Sequence, residues 1–199
     1  MTVGFGKQLS LLVAAVAVTL MTQTASAAAV AQAGQYEIDG AHTNIGFEVS
    51  HLGFSLVVGR FNTFSGHIQF NPNGESSVVA EIDVASVDTN QKRRDQHLRS
   101  PDFFDASRFP KMRYQSTSVD YDQDGNPKTV HGTLSLHGVE KEVSLAVTPI
   151  GAGQDPFGDV RTGYQAKALI KRSDFGMSNL LAVAGDEVAI TINIEGILQ

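Results

Sequence analysis

The sequence predicts an all-β protein whose sheet closes into an antiparallel barrel of about eight strands, broken once by a short helical insertion around residues 91–105. Three observations predict it. Apolar and polar residues alternate with period two over many short runs, as in half-buried antiparallel strands. Gly-, Asn-, Asp- and Pro-containing stretches separate those runs at hairpin spacing. One segment, "RRDQHLRSPDFFDASRFP" from Arg93 to Pro110, breaks the pattern: it is first basic, then aromatic.

The first residues are read apart from the fold. Lys7 precedes an apolar run from Leu9 to Leu20, and Ala25-Ser26-Ala27 follows. This is the layout of a secretory signal peptide over residues 1–27, and the run is too short to span a bilayer, which takes roughly 20 residues. An uncleaved N-terminal anchor is the rival reading. The remaining domain, 28–199, is expected to be exported, with a small, polar and loose leader over 28–34. Without Lys7, 14 basic side chains remain against 21 acidic ones, a net charge of −7. That argues against a nucleic-acid partner, which needs a basic face. The chain has no cysteine, so thiol chemistry, disulfides and Cys–zinc sites are excluded.

The strand readings follow in order from Tyr36. "GRFNTFSGHIQF" sets Phe61 against Phe64, Ile68 and Phe70, with a bend at Gly66. "SVVAEIDVASVD" sets Val78, Ala80, Ile82 and Val84 against Val79, Glu81 and Asp83. Met112 and Tyr114 share a face, as do Val130, Leu134 and Leu136, and then Val143, Leu145 and Val147. Tyr164, Ala166, Ala168 and Ile170 form another face, and Val188, Ile190, Ile192 and Ile194 close the series. "DQDGNP" and "HGVEKE" read as hairpin turns, "GAGQDPFGD" as a longer loop, and "HLGFSLVVG" as a helical turn between strands. A closed barrel removes aggregation-prone edges, which favours it over a β-sandwich. Within the insertion, Asn90 is expected to cap a helix over Gln91–Arg99, Asp95 and Arg99 to pair at i,i+4, and Ser100-Pro101 to start a second helix.

Candidate chemistry is sparse. The six histidines show no H-x-H or H-E-x-x-H spacing, and His131 and His137 stand about 20 Å apart along an extended strand. No G-x-S-x-G elbow is present. Asp102 and Asp105 form a carboxylate pair better suited to a helix start than to acid–base work. No catalytic or metal-ligating residue is assigned. A barrel interior must be either filled or hollow. The small residues Gly46, Gly59, Gly66, Ala80, Gly132, Ala166 and Ala168, interleaved with Phe47, Phe54, Phe61, Phe64 and Phe70, suit an aromatic-lined channel.

Four segments carry a family resemblance: "SHLGFSLVVGRFNTFSGHIQF", "RRDQHLRSPDFFDASRFPKMRYQST", "GTLSLHGVEKEVSL" and "KRSDFGMS". In this order and spacing the chain resembles the YceI-like, or polyisoprenoid-binding, exported proteins from Tyr36 to the C-terminus. The resemblance implies a lipocalin-like barrel with an apolar tunnel and a periplasmic location, often as a homodimer. It implies no cofactor or catalytic residue, but an amphiphilic lipid as ligand: a polyprenyl phosphate, an isoprenoid quinone or a fatty amide. Transport or sequestration without stable membrane insertion is then the expected role, and an enzyme acting on an amphiphile is the alternative. Asn179-Leu180 stands where many relatives carry an aromatic, so that end of the tunnel is expected to differ in shape. The ligand-facing residues expected are Phe47, His51, Phe54, Phe61, Phe64, Arg94, His97, Arg99, Met112, Phe175 and Met177. Arg94, His97 and Arg99 would meet a polar head, while Phe103 and Phe104 would fix the helix to the barrel. In the opposing reading, Arg94 and Arg99 pair internally with Asp95, Asp102 or Asp105.

Overall fold

The computed structural model describes residues 30–199 and Met1; the rest of the expected leader lies outside the described residues. Eleven strand segments form eight staves. The first three staves are each broken once: β1 (Gly34–Ile38) with β2 (Asn44–His51), β3 (Ser55–Phe61) with β4 (Phe64–Phe70), and β5 (Ser77–Asp83) with β6 (Val87–Asp88). The other five are β7 (Lys111–Tyr121), β8 (Pro127–Leu136), β9 (Val139–Gln154), β10 (Val160–Lys171) and β11 (Ala184–Leu198). Sequence neighbours pair antiparallel around the ring, and β11 closes it by pairing with both β1 and β2. The molecule is thus a closed eight-stranded antiparallel barrel.

Local sequence explains the staves. On β11, Ile190, Ile192 and Ile194 point one way, and Ala189, Thr191 and Asn193 the other. Opposite Ile190 and Ile192, β10 places Ala168 and Ala166. Large against small lets the wall curve without overfilling the interior. The turn at Asp122–Asn126 is held by the Asp122 carboxylate, which accepts the amides of Asp124 and Asn126. His137 and Gly138, both at positive φ, make the two-residue hairpin between β8 and β9.

Several sequence readings are corrected. "HLGFSLVVG" is not helical: β2 and β3 run through it and turn at Leu52–Phe54, where the Phe54 amide donates to the His51 carbonyl. β9 continues through Gly151–Gln154, so the loop that follows is shorter than expected. The 28–34 leader is not loose at its end, since Ala31 packs with Tyr36, Ile68 and Phe70. Phe61 does not oppose Phe64. The break at Asn62–Thr63 shifts the alternation, and both rings face the interior. The insertion contains α1 (Lys92–Leu98), capped by the Gln91 side chain rather than by Asn90, which adopts a left-handed conformation. Ser100-Pro101 starts no second helix. It sits in a series of tight turns, with the Ser100 carbonyl accepting the amides of Phe103 and Asp105.

Three apolar layers stack along the barrel axis. The lower end holds Ala31, Tyr36, Ile68 and Phe70. The middle holds Tyr114, Val130, Leu145 and Ala166. The upper end, beneath α1, holds Phe61, Val84, Val87, Met112, Leu136 and Phe175.

Candidate functional site

A cavity of about 200 Å³ runs through the barrel interior. β2 contributes Ile45, Phe47 and Val49 to its wall, and β11 contributes Val188, Ile190, Ile192 and Ile194. Leu98 at the end of α1, with Phe103 and Phe104 after it, covers the upper part. Phe47, Phe61 and Phe104 form an aromatic chain with centroid separations of 5.6 and 5.7 Å.

The polar side chains on this wall are Thr43, Tyr114 and Arg172, and each is engaged by the protein itself. Thr43 Oγ1 donates to the Glu195 carbonyl and accepts the Glu195 amide. The Tyr114 hydroxyl lies 3.1 and 3.0 Å from the carbonyl oxygens of Val130 and Val143, and burial pushes its pKa up to about 12. Arg172 donates to the carbonyls of Met177, Ala184 and Gly185. The wall therefore offers a guest mainly dispersion contacts and escape from water: its three polar side chains are each bonded to the protein, Arg172 through three of its five N–H groups. A polar or charged group brought deep inside, among the apolar side chains, would lose its hydration with little compensation. An apolar chain would be stabilised by roughly 25 cal/mol per Å² removed from water.

The expected ligand-facing set divides cleanly. Phe47, Phe61, Phe64, Met112 and Met177 line the cavity. Phe175 is 1% exposed but packs in the upper core beside the cavity, its carbonyl 2.9 Å from His137 Nδ1. His51 ends β2 opposite Ser55, and Phe54 projects from the hairpin tip. Neither lines the wall.

Arg94, His97 and Arg99 also lie off the wall, and their bonds explain the basic stretch. Arg99 donates to the carbonyls of Ala85 and Val87, groups on the edge of the third stave that no strand covers. Arg94 holds the carbonyl and hydroxyl of Thr89. Each guanidinium thus acts as a surrogate strand, supplying donors where the ladder stops. The expected Asp95–Arg99 pair does not form; Asp95 is buried and accepts from the Thr89 amide and hydroxyl. His97 bonds Asp102 at 2.9 Å and stands edge-on to Phe103.

The sequence reading passed over Leu98, Arg172, Tyr114 and the β11 isoleucines as wall residues. The isoleucines carried a signal, being four alternating apolar positions on one face. Arg172 carried none, because its partners are backbone carbonyls. Two polar clusters also went unread. His131 sits between Ser144 (2.8 Å) and Asp120 (2.9 Å) across β7, β8 and β9. These three residues do not line the cavity, and Ser144 faces Nδ1 on an open sheet surface. Where β1 meets β2, Arg161 gathers Asp39, Asp155 and Glu195 at 2.9, 2.6 and 2.6 Å. His42 bonds Asp39 in the same network. That bond, helped by the Ala41 amide and Arg161, holds the Asp39 carboxyl down at about 2.

The family model for the YceI-like domain matches residues 36–196. The chain belongs to the YceI-like family. Its relatives include a UPF0312 protein of Pseudomonas aeruginosa (strain LESB58), 40% identical over 85% of this chain and 90% of the relative. Protein YceI of an Escherichia coli O17:K52:H18 strain is 39% identical over the same shares. Among solved structures, the Campylobacter jejuni YCEI protein superposes with a TM-score of 0.68 at 32% identity, covering 81% of this chain and 96% of that one. A polyisoprenoid binding domain from Saccharophagus degradans, implicated in plant cell wall breakdown, shares the fold with a TM-score of 0.61 at 21% identity, covering 82% and 98%.

Proposed function

We propose that this protein is an exported, periplasmic binding protein that holds the apolar chain of an isoprenoid or similar amphiphilic lipid in its barrel and catalyses no reaction on it. The observation that carries this reading is the cavity wall: all of its side chains but Thr43, Tyr114 and Arg172 are apolar, and those three are bonded to the protein, so the wall favours an apolar chain. The shared fold of the Saccharophagus degradans polyisoprenoid binding domain supports the isoprenoid class. A head group, whether phosphate, quinone or amide, stays outside the apolar part of the cavity, because entry would strip its water with little replacement. The signal-peptide layout of residues 1–27 supports export.

Native mass spectrometry of the protein purified without added lipid tests this, followed by solvent extraction and mass analysis of the extract. The expected result is a protein–lipid adduct whose extract contains a polyprenyl or comparably long chain. Protein that remains free of lipid, even after incubation with polyprenyl lipids, contradicts it. The hydrolytic alternative has one observation in its favour, the Ser144–His131–Asp120 chain. It requires lipid ester cleavage that Ser144→Ala abolishes; intact lipid recovered from both proteins removes it.

A further inference from the structure

Two loops at the upper end of the barrel expose apolar side chains at conformational cost. In the β2–β3 turn, Phe54 is 89% exposed and Leu52 is also open; on the adjoining strand Leu56 is 60% exposed. In the loop before β11, Leu180, Leu181 and Val183 are exposed. The two loops form one patch, since the Leu52 amide donates to the Val183 carbonyl at 2.9 Å. Leu52 and Leu180 adopt φ of 53° and 54°. A left-handed backbone disfavours a bulky side chain and is easier for Gly or Asn. The backbone conformations serve the turns, Leu52 with Gly53 closing the β2–β3 hairpin, but Gly or Asn would serve them at lower cost, so it is the exposed leucine side chains that gain nothing inside the folded chain. Paired costs of this kind point to a use outside it.

We infer that this patch docks the protein on the surface of an uncharged or zwitterionic lipid bilayer, from which the cavity is loaded. The inference rests on the lipid-binding reading above and names where the lipid comes from. Charge favours a bilayer of this kind. The chain carries a net charge of −6, so an anionic surface repels it, yet no charged residue occurs from Leu52 to Gly59 or from Gly176 to Gly185. In a low-dielectric medium an unpaired amide is costly, and four amides of the patch are already paired. The amides of Leu52, Phe54, Val183 and Ala184 all donate within the patch. Finally, the patch adjoins the cavity. Ala184 pairs with His51 at its border, and Ala184, Val49 and Met177 line the upper wall. A chain leaving the bilayer beneath the patch reaches the wall with little exposure to water.

The full mature chain and phosphatidylcholine vesicles test this. The protein contains no tryptophan, so Phe54→Trp places a single reporter at the tip. Vesicles are expected to shift its emission to the blue, and an unchanged spectrum at saturating lipid overturns the inference. Leu52→Asn with Leu180→Asn relieves the strain and keeps the fold, yet is expected to cut the vesicle-bound fraction at least tenfold. Undiminished flotation with vesicles overturns the inference. So does a variant whose only change is loss of a dimer in sedimentation, since a second copy then covers the patch. Lipid content in native mass spectra separates the two readings. Lipid-loaded protein that ignores vesicles defeats the docking inference alone, whereas vesicle-bound protein that never carries lipid defeats the binding function and the loading step and leaves the docking itself standing.

Discussion

The two ends of the barrel solve the same problem in opposite ways. At the lower end side chains close the barrel: Tyr36 is fully buried, Phe70 nearly so, and Ala31 and Ile68 fill the space around them. The Tyr36 hydroxyl donates to the Gln32 carbonyl, so even its polar tip is spent locally. At the upper end strands stop at different heights, and arginine forks replace the missing partners: Arg99 on the third stave, Arg172 on β11. A plug of side chains leaves no room. A fork satisfies the backbone while leaving space beside it, and the cavity reaches up to Arg172, Leu98 and Phe104. One end is built for stability and the other to admit a guest.

The largest effect should come from breaking a fork. Arg172→Ala strands three carbonyls at a buried site, and urea unfolding is expected to show a loss of about 3 kcal/mol or more. Because the residue also forms the wall, lipid retention should fall with it. The lower end should respond differently. Phe70 is 2% exposed in the lower cluster and does not line the cavity. Phe70→Ala is expected to cost about 3 kcal/mol through the void it leaves, while lipid affinity of the folded fraction stays unchanged. Equal loss of lipid in both variants would erase the distinction between the ends.

Two smaller effects sharpen it. Tyr114→Phe removes the hydroxyl that bridges Val130 and Val143, with an expected loss of about 1 kcal/mol and lipid binding retained, since that hydroxyl serves the wall and not the guest. The Asp39–His42 bond gives a pH signature. The Asp39 carboxyl is held at about 2, below its unfolded value of about 3.9, so its contribution exists above the latter and is lost as pH falls through the former. The same bond raises the pKa of His42, so that contribution exists below the unfolded value of about 6.5 and is lost as pH rises through the folded one. Thermal melts should show the deficit of His42→Ala relative to wild type greatest between about pH 4 and pH 6.5.

Much of the fold was legible because alternation is a local signal. Val188 to Ile194 and Val143 to Val147 announced their inward faces, and the Asp122–Pro127 and His137–Gly138 turns carried their own chemistry. The stave breaks were less visible. A two-residue interruption at Asn62–Thr63 turns Phe61 to the side of Phe64, and strict counting of alternation misses it. Half of the site was harder still. Phe47, Phe61, Phe64, Met112 and Met177 were read onto the cavity from their apolar character. Phe54 and Phe175 have the same character, yet one projects from the hairpin tip and the other packs in the core. Arginines near aspartates suggest ion pairs, but Arg94, Arg99 and Arg172 serve carbonyls left uncovered by strands elsewhere in the chain. Only the closed sheet reveals where such carbonyls lie.

The most direct test of the central claim is an affinity series of isoprenoid alcohols of increasing length, measured by displacement of a fluorescent fatty probe, with the matching phosphates in parallel. Affinity is expected to climb with each added isoprene unit until the cavity is full, and to change little between alcohol and phosphate. Affinity set by the phosphate and flat with chain length would contradict a site built to accept the chain and leave the head outside.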